Sequence, residues 1–192
     1  AMIRNRGDHE IVLALNGAFD ESARVLRQQF EALLPAGNIH VWYAAAPVAH
    51  ADKANGWRRH ASELTYEAFL TSLKPDFIYI ASYFEGFGDD SVTSIHALQT
   101  NVPVAVTLYD LIPYIYTKPY LENPLFKDWY LEKIEHLRRA DLWLAISESS
   151  RSEGIEYLDL SPEWSVNMSA DVDAWFRPEQ IAAEREAALR SK

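Results

Sequence analysis

Short apolar runs of strand length alternate with longer amphipathic segments along this chain, and that alternation restricts the fold more than any other feature. The runs fall at residues 9–15, 38–43, 77–81, 104–109 and 142–146, with a weaker one at 164–168. Helical periodicity lies between them, near 21–34, 58–73, 91–99, 124–139 and 148–158. Strand–helix alternation of this kind predicts an α/β fold with a mostly parallel sheet, a Rossmann-like three-layer domain. Boundary residues agree. Asp20 is placed to cap the first helix, and Asn123-Pro124 joins a capping side chain to a proline in the first turn. Pro35 and Gly37 stop the first helix, and Lys74-Pro75 stops the second.

The ends of three runs carry the functional signal, because ligands of open α/β sheets bind beyond the carboxyl ends of the strands. Val104-Ala105-Val106-Thr107-Leu108 reads as a strand buried on both faces, and it breaks at Tyr109-Asp110-Leu111-Ile112-Pro113. Asp110 is the candidate catalytic residue, able to hydrogen-bond a substrate hydroxyl or act as a local base. Its plainer role is to cap the following turn. Tyr109 either offers its hydroxyl to the crevice or packs half-buried.

A second run ends at Ser147-Glu148-Ser149-Ser150-Arg151, where a helix start presents backbone N–H groups suited to an anion. The plain alternative is an N-cap by Ser147, with Arg151 paired to Glu148. A third leads into Ser82-Tyr83-Phe84-Glu85-Gly86-Phe87-Gly88-Asp89-Asp90. Aromatic rings beside Glu85 and Gly86 suit sugar recognition, unless the rings turn into the core.

Composition excludes several classes. With 192 residues and 48% hydrophobic content the chain can bury a full core, and its net charge of −10 argues against nucleic acid as a partner. Zero cysteines rules out disulfides, thiolate metal sites and a cysteine nucleophile. The six histidines show no metal spacing, so no metal and no bound cofactor is expected. No apolar run approaches the ~20 residues of a membrane span. A cytoplasmic location, at the inner face of the membrane, is the expectation. Walker, nucleophile-elbow and dinucleotide glycine fingerprints are absent. Residues 173–178 read as a linker and 179–190 as a charged, alanine-rich helix.

Taken together, Leu108-Tyr109-Asp110-Leu111-Ile112-Pro113, the Trp129-Tyr130 helix, the segment 140–151 and Trp175-Phe176-Arg177-Pro178 resemble the group 1 (family 4) retaining glycosyltransferases of GT-B fold. Within that group the chain looks most like bacterial enzymes that add mannose or a related hexose to surface polysaccharide. Lys74-Pro75-Asp76 and the Phe84-Glu85-Gly86 loop also fit.

The resemblance implies one Rossmann-like half, residues 3–176, on the acceptor side of a two-domain cleft. It also implies a linker helix, 177–192, toward a donor domain outside this chain. Hexose would pass from a nucleoside-diphosphate sugar, a co-substrate, to a hydroxyl of a glycan or lipid-linked glycan with retention. Asp110 would be catalytic, and Glu85, Gly86, Tyr109, Ser147, Glu148 and Arg151 would line the substrate site. The isolated chain should be inactive. The usual first strand is missing relative to this pattern, so unpaired sheet edges should be exposed and a homodimer could form through them. A non-catalytic α/β binding module is the alternative.

Overall fold

A computed structural model describes residues 2–169. Six strands, all parallel to their neighbours, alternate with helices: β1 (Leu13–Asn16), α1 (Asp20–Phe30), β2 (Ile39–Trp42), α2 (Gly56–Ser72), β3 (Ile78–Ile80), β4 (Val104–Leu108), the short α3 (Ile112–Ile115) and α4 (Thr117–Tyr120), α5 (Pro124–Leu137), β5 (Leu142–Ala145), α6 (Glu148–Leu158) and β6 (Ser165–Asn167). This is the α/β class expected from the alternation. The expected domain boundary at residue 176 and the helix at 177–192 lie outside the described residues.

The sheet differs from the expected one by being divided. β1 pairs with β2, while β3-β4-β5-β6 form a separate sheet in that order. Among the described residues β1 and β3 each pair on one side only, so one edge of each stays unpaired. The two sheets are still joined at their carboxyl ends. Asn16 Nδ2 donates to Asp90 O at 3.0 Å, and the Asp90 carboxylate accepts from the N–H of Val48 at 2.6 Å and of Ala49 at 3.2 Å. Trp42, Val48 and Val92 close a small apolar cluster at this junction, with Tyr66 and Phe69 of α2 against it.

The main core lies on the four-stranded sheet. All five residues of β4 are buried, as an apolar run flanked by two strands should be. Ile134 and Leu137 of α5 and Leu158 of α6 are buried against it. Gly154 permits the close seat of α6, since a Cβ there would lie 2.7 Å from a Leu108 methyl and 2.9 Å from one of Leu160. Asn123 caps α5 as expected, its Oδ1 accepting from Leu125 N at 3.0 Å and Phe126 N at 3.2 Å.

Two local expectations fail. Asp20 does not cap α1; the N-cap is Phe19, without a side-chain bond, and Asp20 supplies first-turn negative charge instead. No helix forms at 91–99. Its backbone is taken by side chains from elsewhere: the Glu67 carboxylate accepts from Ala97 N at 3.0 Å and Leu98 N at 2.6 Å, and Lys133 Nζ donates to Thr93 O at 2.9 Å. Such bonds satisfy the peptide groups a helix would otherwise pair.

Candidate functional site

Because β4 and β5 run parallel in register, Leu108 opposite Ala145, their carboxyl ends open onto one rim. Tyr109 and Asp110 leave β4 there, and Ser147 leaves β5. Ser150 fastens the two exits together, its Oγ donating to Tyr109 O at 2.5 Å. The structure thus brings the first and second strand-end motifs side by side.

Asp110 is exposed and its Oδ1 accepts from Ile112 N at 3.0 Å, the turn-capping role. Its second oxygen makes no hydrogen bond among the described residues. The backbone that follows folds into α3 and α4, and Tyr109, at 49% exposure, is followed by further exposed rings at Tyr116 and Tyr120.

Ser147 is the N-cap of α6, its Oγ accepting from Ser150 N at 3.1 Å. Glu148 and Arg151 pair at 2.9 Å. The Arg151 guanidinium also donates to Ser165 O at 2.6 Å and Pro162 O at 3.0 Å, tying α6 to the start of β6. Ser147, Glu148 and Arg151 therefore shape the rim through bonds within the protein.

The third motif sits over the carboxyl end of β3. Gly86 holds φ of +88°, and a Cβ would lie 2.3 Å from Ser91 O, so only glycine fits this turn. Gly86 O accepts from His50 N at 3.0 Å, and Phe87 O from Ala51 N at 2.8 Å. Ser82 Oγ donates to Glu85 at 2.5 Å. The loop aromatics take the plainer of the two roles expected. Tyr83 is buried, Phe84 stacks on Tyr130 at 5.1 Å, and Phe87 meets Phe126 edge-on at 5.0 Å. The exposed rings are instead the tyrosines after β4.

One charged cluster lies outside the residues singled out from the sequence. Arg59 and Glu63 of α2 and Glu132 and Lys133 of α5 converge on a cavity whose rim carries Glu85 and Gly86. Lys133 is buried, donates to Thr93 O at 2.9 Å and Thr93 Oγ1 at 2.7 Å, and lies 4.7 Å from the centre of the Tyr83 ring. Burial pushes its pKa down to about 8, against the pull of Glu63 and Glu132. Burial raises the Glu63 carboxyl above its ordinary value. Desolvation, with the Arg59 guanidinium touching His50 Nδ1, holds that imidazole low. A faint signal for the cluster exists in sequence. Lys133 interrupts the buried stripe Trp129, Tyr130, Ile134, Leu137 at helical spacing, where a lysine needs a partner.

No protein-family model matches the chain, and no solved structure does. It is 31% identical over 193 residues, covering all of this chain, to the serotype-specific mannosyltransferase WbdA of Escherichia coli. Two further proteins of that name and organism match at 31% identity over 195 residues. The chain spans about a quarter of the length of these curated relatives, 24% of the first. Over its whole length the chain is therefore similar to one part of a bacterial mannosyltransferase, as the strand-end motifs around Asp110 and Ser147 implied.

Proposed function

We propose that this chain is the acceptor-side part of a glycosyltransferase that moves a hexose, mannose by analogy with its relatives, from a nucleoside-diphosphate sugar to a glycan hydroxyl with retention. The observation that carries the reading is the whole-length similarity to WbdA, together with the junction of Tyr109-Asp110 and Ser147 on one rim. The group 1 assignment and the role as one half of a GT-B fold belong to this proposal. So do a cytoplasmic location, a lipid-linked glycan as acceptor, and a homodimer through the free edges of β1 and β3.

In this reading the acceptor oxygen bonds the anomeric carbon on the face from which the diphosphate departs, which keeps the configuration, and the diphosphate leaves with the electron pair and takes up the proton of the acceptor hydroxyl. Asp110 uses its free oxygen to accept from the acceptor hydroxyl and so orients that oxygen, while its bonded oxygen keeps the turn in place. Tyr109 offers a ring face and a hydroxyl beside it. Glu85 and Gly86 form the wall across the rim, and Ser147, Glu148 and Arg151 hold the floor. The donor sugar and its diphosphate bind to protein beyond these residues, so the chain alone binds acceptor without transferring.

The test is titration of the isotope-labelled chain with a mannose-containing oligosaccharide, alongside a transfer assay with several nucleotide hexoses. Saturable shifts of the Tyr109 and Ile112 amide signals without transfer are expected, weakened about tenfold by Asp110→Asn. Absence of acceptor binding overturns the acceptor role, and transfer by the chain alone overturns its dependence on a second half.

A further inference from the structure

Lys133 is a buried ammonium held by neutral partners. It is 7% exposed, and no carboxylate forms an ion pair with it among the described residues. Its Nζ donates to Thr93 O at 2.9 Å and Thr93 Oγ1 at 2.7 Å, and the centre of the Tyr83 ring lies 4.7 Å away. Lysine is almost never this buried without a paired charge, and an apolar side chain of the same length would pack there at lower cost. A charge held against stability in this way points to a task for its hydrogen bonds.

Those bonds fall at one place. Residues 81–103, between β3 and β4, contain no helix or strand, and the Glu85-Gly86 turn lies in their first half. Thr93 Oγ1 donates to Tyr83 O at 2.7 Å, which closes residues 83–93 into a loop with Tyr83 and Thr93 as its neck. The outer part of the loop is bound to residues 48–51. There Gly86 O and Phe87 O accept from His50 N and Ala51 N, and the Asp90 carboxylate accepts from Val48 N and Ala49 N. The neck is bound to α5 instead, by Lys133 on Thr93. Phe84 and Phe87 also meet α5, but through ring contacts, which set a separation and leave sliding free. Lys133 adds the directional bonds that fix where the loop stands along α5, the helix packed on β4.

We propose that Lys133 is a positioning residue: by holding the Tyr83–Thr93 neck to α5, it sets where the Glu85-Gly86 wall stands relative to Tyr109 and Asp110. The proposal rests on the acceptor reading above and places no ligand against Lys133 itself. Its action is indirect, through Thr93 and the loop. A wall misplaced by about 1 Å loses binding without unfolding the chain.

The experiment compares Lys133→Met, Thr93→Val and Thr93→Ser in the isotope-labelled 192-residue chain, with the mannose-containing oligosaccharide as acceptor. Lys133→Met should resist urea at pH 7 at least as well as the wild type. It should nonetheless turn the Glu85 and Gly86 N–H vectors, read from residual dipolar couplings, and weaken acceptor binding about tenfold. Thr93→Val should turn the same vectors, and joining it to Lys133→Met should add no further loss of affinity. Thr93→Ser keeps the hydroxyl and should keep wild-type couplings and affinity. If Lys133→Met does not fold, Thr93→Val against Thr93→Ser carries the test. Unmoved Glu85 and Gly86 vectors overturn the positioning role, as do turned vectors with undiminished affinity. A loss of affinity that tracks loss of stability and is shared by Thr93→Ser also overturns it. No acceptor binding by the wild type overturns the acceptor reading itself, and this role with it.

Discussion

The two sheets are built with the same parallel pairing, yet they are not equally supported. β4 has strands on both sides and a core that includes Ile134 and Leu137 of α5 and Leu158 of α6, all almost fully buried. β1 has one neighbour, and its core is Leu15, Ala23, Leu34 and Ile39. Ala14 in the middle of β1 is exposed, whereas no residue of β4 is. Backbone hydrogen bonds are thus common to both, and the difference is apolar cover. The larger sheet holds Tyr109, Asp110 and Ser147 in place, and the smaller sheet meets it through the Asn16–Asp90 bond and the small Trp42, Val48 and Val92 cluster.

The largest effect expected from this difference separates two leucines of similar burial. Leu137→Ala removes a fully buried side chain from the main core and should lower global unfolding free energy by about 3 kcal/mol. Leu34→Ala, from the smaller core, should instead open β1 and β2 locally. Hydrogen exchange would then quicken at Leu13–Asn16 and Ile39–Trp42 while β4 stays protected. Equal loss of the global midpoint in both variants would make the two sheets one cooperative unit and break the comparison.

Lys133 sharpens it from the electrostatic side. Burial lowers its pKa to about 8 in the folded chain, against 10.5 as the ordinary value. Between those values the unfolded chain binds more protons, so stability rises with pH through that window and the burden is greatest below it. Relative to Lys133→Met, the wild type should gain on the order of 3 kcal/mol between pH 7 and pH 11, from 1.36 kcal/mol per pKa unit. Urea titrations of both proteins at the two pH values measure the difference. A difference that does not move with pH would mean that the ammonium is not desolvated by the main core.

The smallest effect concerns the uncovered edges. β1 and β3 carry no charged residue or proline to protect them, and such edges attract further strands. Weak self-association is the expected outcome, seen as a mass in light scattering that rises with concentration. A single-chain mass throughout the range overturns the homodimer.

Legibility followed locality. The Asn123 and Ser147 caps, the buried run at 104–108 and the positions of six strands depend on residues within a few places of each other, and their pattern was readable. The helix expected at 91–99 failed because Glu67 and Lys133, distant in sequence, capture its backbone. Asp20 failed as a cap because Phe19 occupies that position. The charged cluster was unreadable, since Glu63, Glu85 and Lys133 come from distant stretches of the chain.

The sequence by itself determined the α/β class, the strand ends that carry Tyr109, Asp110, Ser147 and Gly86, and the likeness to a mannosyltransferase. Periodicity, capping and turn chemistry act over a few residues, and these features need nothing more. Only the tertiary structure decided that the strands fall into two sheets, that Arg151 is spent on the start of β6, and that Lys133 is buried against Thr93. Those outcomes depend on which surfaces meet across the chain, where desolvation and long-range hydrogen bonds outweigh local preference.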